Sequence, residues 1–342
     1  MRLNALLIGL LILPVLTLWI GHPPREQAYA AMTSEAGPIG MEVRTMTDPG
    51  SADILVLGSS VVREGLDVSL LEQQLARHLG RPAHVRLLAI NWQGLDIQYF
   101  LLRDYLRTHR AGMILWNAPA PGVRTLEPQV QAFRWARFGE YADALDGLAL
   151  PARIAFYGDF VYGAPRELLT HLRPNLLSDE ELAVTQDPPA LRGYYGAPFV
   201  PEALNSGALP SVEQTLQTLP YPMVRQSGRP LDPFERHFAG RIIALAAASH
   251  TPLVTLHLPL DSEFGDDFIP EREAFTGDLR TGGPMVGVSS AVLFHAMDAA
   301  GVRHYYYDQH FNANGRALYT NAVLPAILEA YDTREARHDA SN

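Results

Sequence analysis

The sequence contains no cysteine, which excludes disulfides, thiolate metal sites and a cysteine nucleophile together. Lysine is absent too: all 27 basic residues are arginine. Set against 37 acidic residues they leave a formal net charge of -10, and they form no cluster. Nucleic acid is therefore not expected as a partner, because neutralising phosphates needs concentrated positive charge. The 12 histidines are scattered without His-Glu-x-x-His or any other tight ligand spacing, so neither a metal nor a cofactor is expected. No Gly-x-Gly-x-x-Gly and no Gly-Lys-Ser/Thr is found, which argues against a nucleotide or phosphate loop. Repeats and low-complexity tracts are also missing. What remains is an ordinary globular balance, 47% hydrophobic and 19% charged over 342 residues, enough for one large domain with a sizeable insertion.

The N-terminus is the first informative segment. "MRLNALLIGLLILPVLTLWIG" carries one arginine and then an apolar stretch over residues 5–20. That is long for a signal-peptide core and slightly short for a spanning helix. Residues 1–21 read as an uncleaved signal anchor or as a cleaved signal peptide, with Ala28-Tyr29-Ala30 as a small-x-small site. A buried core helix is the third alternative. With Arg2 inside, both leading readings place the rest of the chain outside the cytoplasm, in a bacterial periplasm, and the anchor reading ties it to the inner membrane. Residues 22–50, rich in Pro, Gly, Thr and Ala, read as a linker into a domain over 51–334, followed by a short tail at 335–342.

Within the domain, apolar runs alternate with segments of helical spacing. Strands are expected at 53–58, 84–90, 112–117, 252–260 and 302–307. Helices are expected at 67–79, 95–109, 232–249, 289–300 and 315–331, the first with a Ser69–Glu72 capping box and a stop at Gly80. Residues 261–288 read as loop. Residues 118–230, with "PAPG", "DPP" and "GYYGAPFVP", break the pattern and read as an inserted cap over the carboxyl edge of the sheet, with some helix at 127–150. A β-α-β-α-β order implies an α/β fold with parallel strands and helices on both faces. In such sheets ligands bind beyond the carboxyl ends of the strands.

Polar and small residues gather at those ends. "DILVLGSSVVREG" ends a strand in Gly58-Ser59-Ser60, "NWQG" places Gly94 after the second strand, and "ILWNAP" places Asn117 at the end of the third. "YYYDQHFNANG" sets Asp308 and His310 after the last strand, with Asn312, Asn314 and Gly315 turning into the final helix. A catalytic serine needs a base to take its proton and an acid to orient that base. Asp308 and His310 can supply both. The backbone N–H groups of Ser60 and Gly94 and the side-chain amide of Asn117 are candidate oxyanion donors. Each feature alone has a plainer reading as a turn or a cap, and their coincidence on one edge favours the catalytic one. His257 reads as a packed strand residue and His295 as a helix-surface residue. Asp261 is a minor candidate for support.

These blocks resemble the SGNH, or GDSL-type, hydrolase superfamily, over about residues 50–117 and 232–331. Gly58-Ser59-Ser60 stands where the family has Gly-Asp-Ser, which makes Ser60 the nucleophile and leaves Ser59 to shape the turn. Gly94, Asn117 and the pair Asp308 and His310 match the later blocks. Ser59 in place of Asp, the absence of Gly-x-Asn-Asp, and Asp-x-His in place of Asp-x-x-His depart from the common pattern. They look like the membrane-linked branch of alginate O-acetylation and D-alanine transfer proteins. The resemblance implies a flavodoxin-like three-layer sandwich. It also implies a serine esterase or O-acyltransferase acting on acyl esters, acetyl above all, of an exported polysaccharide. The expected partners are that glycan and a membrane-bound O-acyltransferase. The alternative is a family member that keeps the fold without the chemistry and binds glycan, with Trp135, Tyr141, Tyr194, Tyr195 and Phe199 suited to sugar stacking.

Overall fold

Strand β1 (Ala52–Ser59) lies inside a five-stranded sheet and is buried on both faces. A computed structural model describes residues 45–46, 50–90, 94–117, 143–154, 214, 233–260, 285–288, 290–295, 297–307 and 310–339. The apolar segment at 5–20 and most of the expected insertion lie outside these. Among the described residues no helix is long and apolar enough to cross a membrane.

The chain leaves β1 directly into a short helix, α1 (Ser60–Gly65), and then α2 (Val68–Leu79). Val68, Leu71 and Leu75 form the buried stripe of α2. Its cap is Asp67, whose carboxylate accepts the Leu70 N–H at 2.9 Å, and Gly80 ends it at φ 63°. The expected Ser69–Glu72 capping box does not form, because the helix starts two residues earlier than such a box requires. Glu72 instead accepts the Val85 N–H at 2.8 Å, tying α2 to the next strand.

That strand, β2 (Val85–Ile90), is followed by α3 (Leu95–Thr108) and β3 (Ala111–Asn117). After the insertion come α4 (Pro233–Ala248), β4 (Leu253–His257) and β5 (Met285–Gly287). The strand order is β2-β1-β3-β4-β5, and every pairing is parallel. This is an α/β sandwich of the flavodoxin-like kind, with its switch point between β1 and β3.

The alternation of side chains along the strands builds two cores. Ile54, Val56, Leu87, Met113 and Leu115 face one layer, which contains α1, α2 and the C-terminal helix. Leu55, Leu57, Leu88, Ile114 and Trp116 face the other, which contains α3 and α4. Residues 143–154, the longest described piece of the insertion, pack on this second layer through Ala144, Leu145 and Leu148. Arg241 on α4 donates to the Asp143 carbonyl at 2.6 Å and secures them.

The C-terminal third departs from expectation. The segment expected as loop contains β5. The expected helix at 289–300 is two short ones, α5 (Ser290–Leu293) and α6 (Ala299–Arg303). The expected strand at 302–307 shrinks to β6 (Tyr306–Tyr307), which pairs antiparallel with β7 (His310–Phe311) outside the main sheet. The cause is local. Asp298 caps α6 by accepting the Gly301 N–H at 2.8 Å, which draws Val302 and Arg303 into helix. The final helix, α7 (Ala313–Asp339), follows at once.

At the amino edge of the sheet, Asp53 fastens three elements. Its carboxylate accepts from Arg81 at 2.7 Å and from the His84 N–H at 2.8 Å, and the Tyr331 hydroxyl of α7 reaches it at 3.4 Å. Burial opposes its charge most strongly of the single effects. The hydrogen bonds from Arg81 and His84, with the charge of Arg81 and the Tyr331 bond, together outweigh burial and hold its pKa below the ordinary 3.8. A depressed carboxyl stabilises the fold above its unfolded pKa and loses that effect as pH falls through the folded one. Asp53→Asn is expected to cost about 1–3 kcal/mol of unfolding free energy at neutral pH. The gap to wild type should close as the pH is taken below 3.8, which urea titrations at a series of pH values would measure.

Candidate active site

The passage from strand to helix at Ser59 and Ser60 takes no intervening residue. Ser59 ends β1 and caps α1 in an extended conformation, without a side-chain capping bond. Ser60 is the first residue of α1 and remains half-buried. Gly58 makes this turn possible by being small, not by an unusual φ. A Cβ there would stand 2.6 Å from Val62 Cγ1 and 2.7 Å from Asn117 Cβ. The absence of a side chain therefore lets α1 close onto β1 and lets Asn117 sit beside the turn.

Asn117 is the last residue of β3 and is buried. Its Nδ2 donates to the Leu256 carbonyl of β4 at 3.4 Å, and a second N–H on the same nitrogen is available by its chemistry. Gly94 caps α3 just beyond β2, at the same edge of the sheet. Its carbonyl accepts the Gln98 N–H at 3.0 Å.

His310 arrives from the other end of the chain. Its Nε2 lies 2.9 Å from Ser60 Oγ, across 250 residues of sequence. The residues around it are fixed by one side chain, Asn312. The Asn312 carboxamide oxygen accepts the N–H groups of Asn314 and Gly315 at 2.9 and 3.1 Å, and its amide donates to the His304 carbonyl at 2.7 Å. The Asn312 backbone N–H donates to Tyr305 at 2.9 Å. The expected turn is thus a helix cap, with Asn314 and Gly315 already in the first turn of α7. Gly315 also has a steric reason, since a Cβ there would be 2.3 Å from the Tyr305 carbonyl oxygen.

Glu64 belongs to none of the motifs read in the sequence. It lies one helical turn beyond Ser60 on α1, and its Oε2 is 3.9 Å from His310 Nδ1. Its Oε1 accepts from Arg63 at 2.7 Å, and the two side chains are only 7% and 1% exposed. The i, i+4 spacing from Ser60 to Glu64 is the signal that could have found it, because such residues share a helix face.

The expected site residues therefore divide as follows. Ser60 and His310 meet, Asn117 borders the turn at Gly58–Ser60, and Gly94 lies at the same edge. Asp308 lies outside the described residues, as do Asp261, Trp135, Tyr141, Tyr194, Tyr195 and Phe199. His257 sits at the end of β4, with its carbonyl accepting the Tyr319 hydroxyl. His295 is exposed. Among the described residues no group of His, Asp and Glu is placed to hold a metal ion.

Compared with protein-family models and with curated proteins, the sequence matches none.

The close approach at Gly58 makes a differential prediction. Gly58→Ala forces a stiff valine and a backbone-anchored Cβ apart, and is expected to cost about 1–3 kcal/mol. Gly240→Ala, inside α4 with nothing within 4 Å of the new Cβ, is expected to leave stability unchanged or raise it by about 0.5–1 kcal/mol. Equilibrium urea unfolding of the two variants compares them directly.

Proposed function

We propose that the chain is a serine-dependent esterase or O-acyltransferase of the SGNH type. The observation that carries this reading is the 2.9 Å approach of His310 Nε2 to Ser60 Oγ. A serine hydroxyl is a weak nucleophile until a base stands within hydrogen-bonding reach, and imidazole is the side chain suited to that task near neutral pH. The location supports the same reading, since the pair lies at the carboxyl edge of a parallel sheet beside its β1/β3 switch point.

Ser60 Oγ attacks the carbonyl carbon of an ester while its proton passes to His310 Nε2. The oxyanion of the tetrahedral intermediate is received by the backbone N–H groups of Ser60 and Gly94 and by the Asn117 amide. Loss of one such donor costs roughly 10²–10³ in kcat in a well-studied protease. The intermediate collapses, the alkoxide leaves with the proton from His310, and the acyl group stays on Ser60. Water or a sugar hydroxyl then gives its proton to His310, attacks the acyl-enzyme and releases Ser60. Asp308 takes the orienting role that the family resemblance assigns to it.

The same resemblance gives the biological setting. The substrate is an acyl ester, acetyl above all, of an exported polysaccharide. The protein works outside the cytoplasm beside a membrane-bound O-acyltransferase, held to the membrane by residues 5–20.

Hydrolysis of p-nitrophenyl acetate tests the chemistry. Ser60→Ala and His310→Ala are each expected to lower kcat/KM by at least about 10³-fold, the nucleophile and base of such a unit being worth up to about 10⁶. Mass spectrometry of wild type after a brief exposure should find an acetyl group on Ser60. Equal rates in wild type and Ser60→Ala would sink the assignment.

A further inference from the structure

We infer that Glu64 is a positioning residue for His310, a second carboxylate that keeps the imidazole proton on Nδ1 and leaves Nε2 bare for the serine. The inference rests on the reading of Ser60 and His310 as nucleophile and base. It concerns a residue that the family's motifs do not include.

The geometry starts from helix α1. Ser60 and Glu64 are four residues apart, so their side chains rise from the same helix face one turn from each other. The imidazole of His310 stands along that turn. Its Nε2 meets Ser60 Oγ at 2.9 Å and its Nδ1 faces Glu64 Oε2 at 3.9 Å. One six-residue helix thus addresses both nitrogens of one ring.

Chemistry fixes what each nitrogen must do. In neutral imidazole one nitrogen carries the proton and the other accepts. Nε2 can take the Ser60 proton only if its own is absent, so the working tautomer has its proton on Nδ1. A carboxylate on the Nδ1 side favours that tautomer and stabilises the imidazolium that forms during attack. At 3.9 Å the contact acts through charge, and it becomes a hydrogen bond if the site tightens around substrate.

The surroundings of Glu64 point the same way. Its other oxygen is held by the permanently charged Arg63 at 2.7 Å, with the arginine side chain 1% exposed. A buried pair of this kind is a poor stabiliser, because desolvation offsets much of the attraction. Its position one turn from the nucleophile gives it another use. When His310 takes the proton, Arg63, Glu64 and His310 form a line of alternating charge.

The test uses the full-length chain with Glu64→Gln, Glu64→Asp, the double variant Arg63→Met with Glu64→Gln, and Asp308→Asn. The double variant removes both members of the buried pair, so no unpaired charge is left to unfold the domain. Two readouts are taken: the His310 tautomer from imidazole ¹⁵N NMR, and kcat and KM on p-nitrophenyl acetate. Both Gln-bearing variants are expected to move His310 toward the Nε2–H tautomer. They should also lower kcat about 10- to 100-fold with little change in KM, and Glu64→Asp should restore much of both. If the folded Gln-bearing variants keep the wild-type tautomer and kcat, and only Asp308→Asn changes them, the inference is overturned. An ester activity indifferent to Ser60 would defeat the proposed function instead, and the NMR readout would still decide whether Glu64 governs the ring.

Discussion

The parallel pairing of β1 with a neighbour on each side is the constraint from which the rest of the molecule follows. β1 runs beside β2 from Ile54↔Val85 to Ser59↔Ile90, and beside β3 from Ala52↔Ala111 to Leu57↔Trp116. Both ladders are parallel, so the chain must cross the sheet after each strand. The crossover to β2 carries α1 and α2 over one face, and the crossover to β3 carries α3 over the other. A slip of one residue would exchange Ile54 and Val56 with Leu55 and Leu57 between the two cores. That register therefore also fixes where Gly58 ends and where Ser60 begins to turn away. Asn117 follows for the same reason, since the ladder that pairs Leu57 with Trp116 brings the next residue of β3 beside Gly58.

The parts of this arrangement that could be read in the sequence are those whose signal is local. The apolar runs of β1 to β4 and the helical spacing of α2, α3 and α4 are properties of contiguous residues, and they mark the elements to within a few positions. β5 left no such signal, because three residues, Met285–Gly287, are too few to show a period. The tyrosine run at 305–307 sent the opposite message. Its strand propensity is real, but Asp298 nucleates a helical turn just upstream, and only Tyr306 and Tyr307 remain extended. The site divides in the same way. Ser60, Gly94 and Asn117 stood out as candidates because each lies where a strand of the sheet gives way to the next element. His310 was legible as a residue type after an apolar segment, yet it reaches Ser60 from a two-stranded hairpin and not from the main sheet. Glu64 carries only a weak local signal, its i, i+4 spacing from Ser60, and its approach to His310 comes from the far end of the chain.

The two edges of the sheet use buried polar groups differently. At the amino edge, Asp53 is surrounded by donors, from Arg81, the His84 backbone and Tyr331, so its charge is satisfied by groups that serve only to hold elements together. At the carboxyl edge, Glu64 shares its carboxylate between a fixed cation and a ring whose charge changes during the proposed reaction. The first arrangement locks the strand ends in place. The second places a charge where its effect depends on the protonation state of its neighbour.

Ser60 and His310 are also supported by different means. Ser60 is placed by sheet hydrogen bonds and by the close approach at Gly58. His310 depends instead on packing and capping. Phe311, its neighbour on β7, is buried against Tyr306 at 4.6 Å and Tyr319 at 5.6 Å between ring centroids. Asn312 then fastens the start of α7 with its side-chain bonds to His304, Asn314 and Gly315. Helix α1 packs against both β7 and α7, and the two supports also meet where the Tyr319 hydroxyl of α7 donates to the His257 carbonyl of β4. A change in the sheet would act first on Ser60, and a change in the aromatic cluster would act first on His310. Because Ser60 and Glu64 ride on the same short helix, they keep their spacing in either case, and the imidazole is the one member whose distance to both can vary.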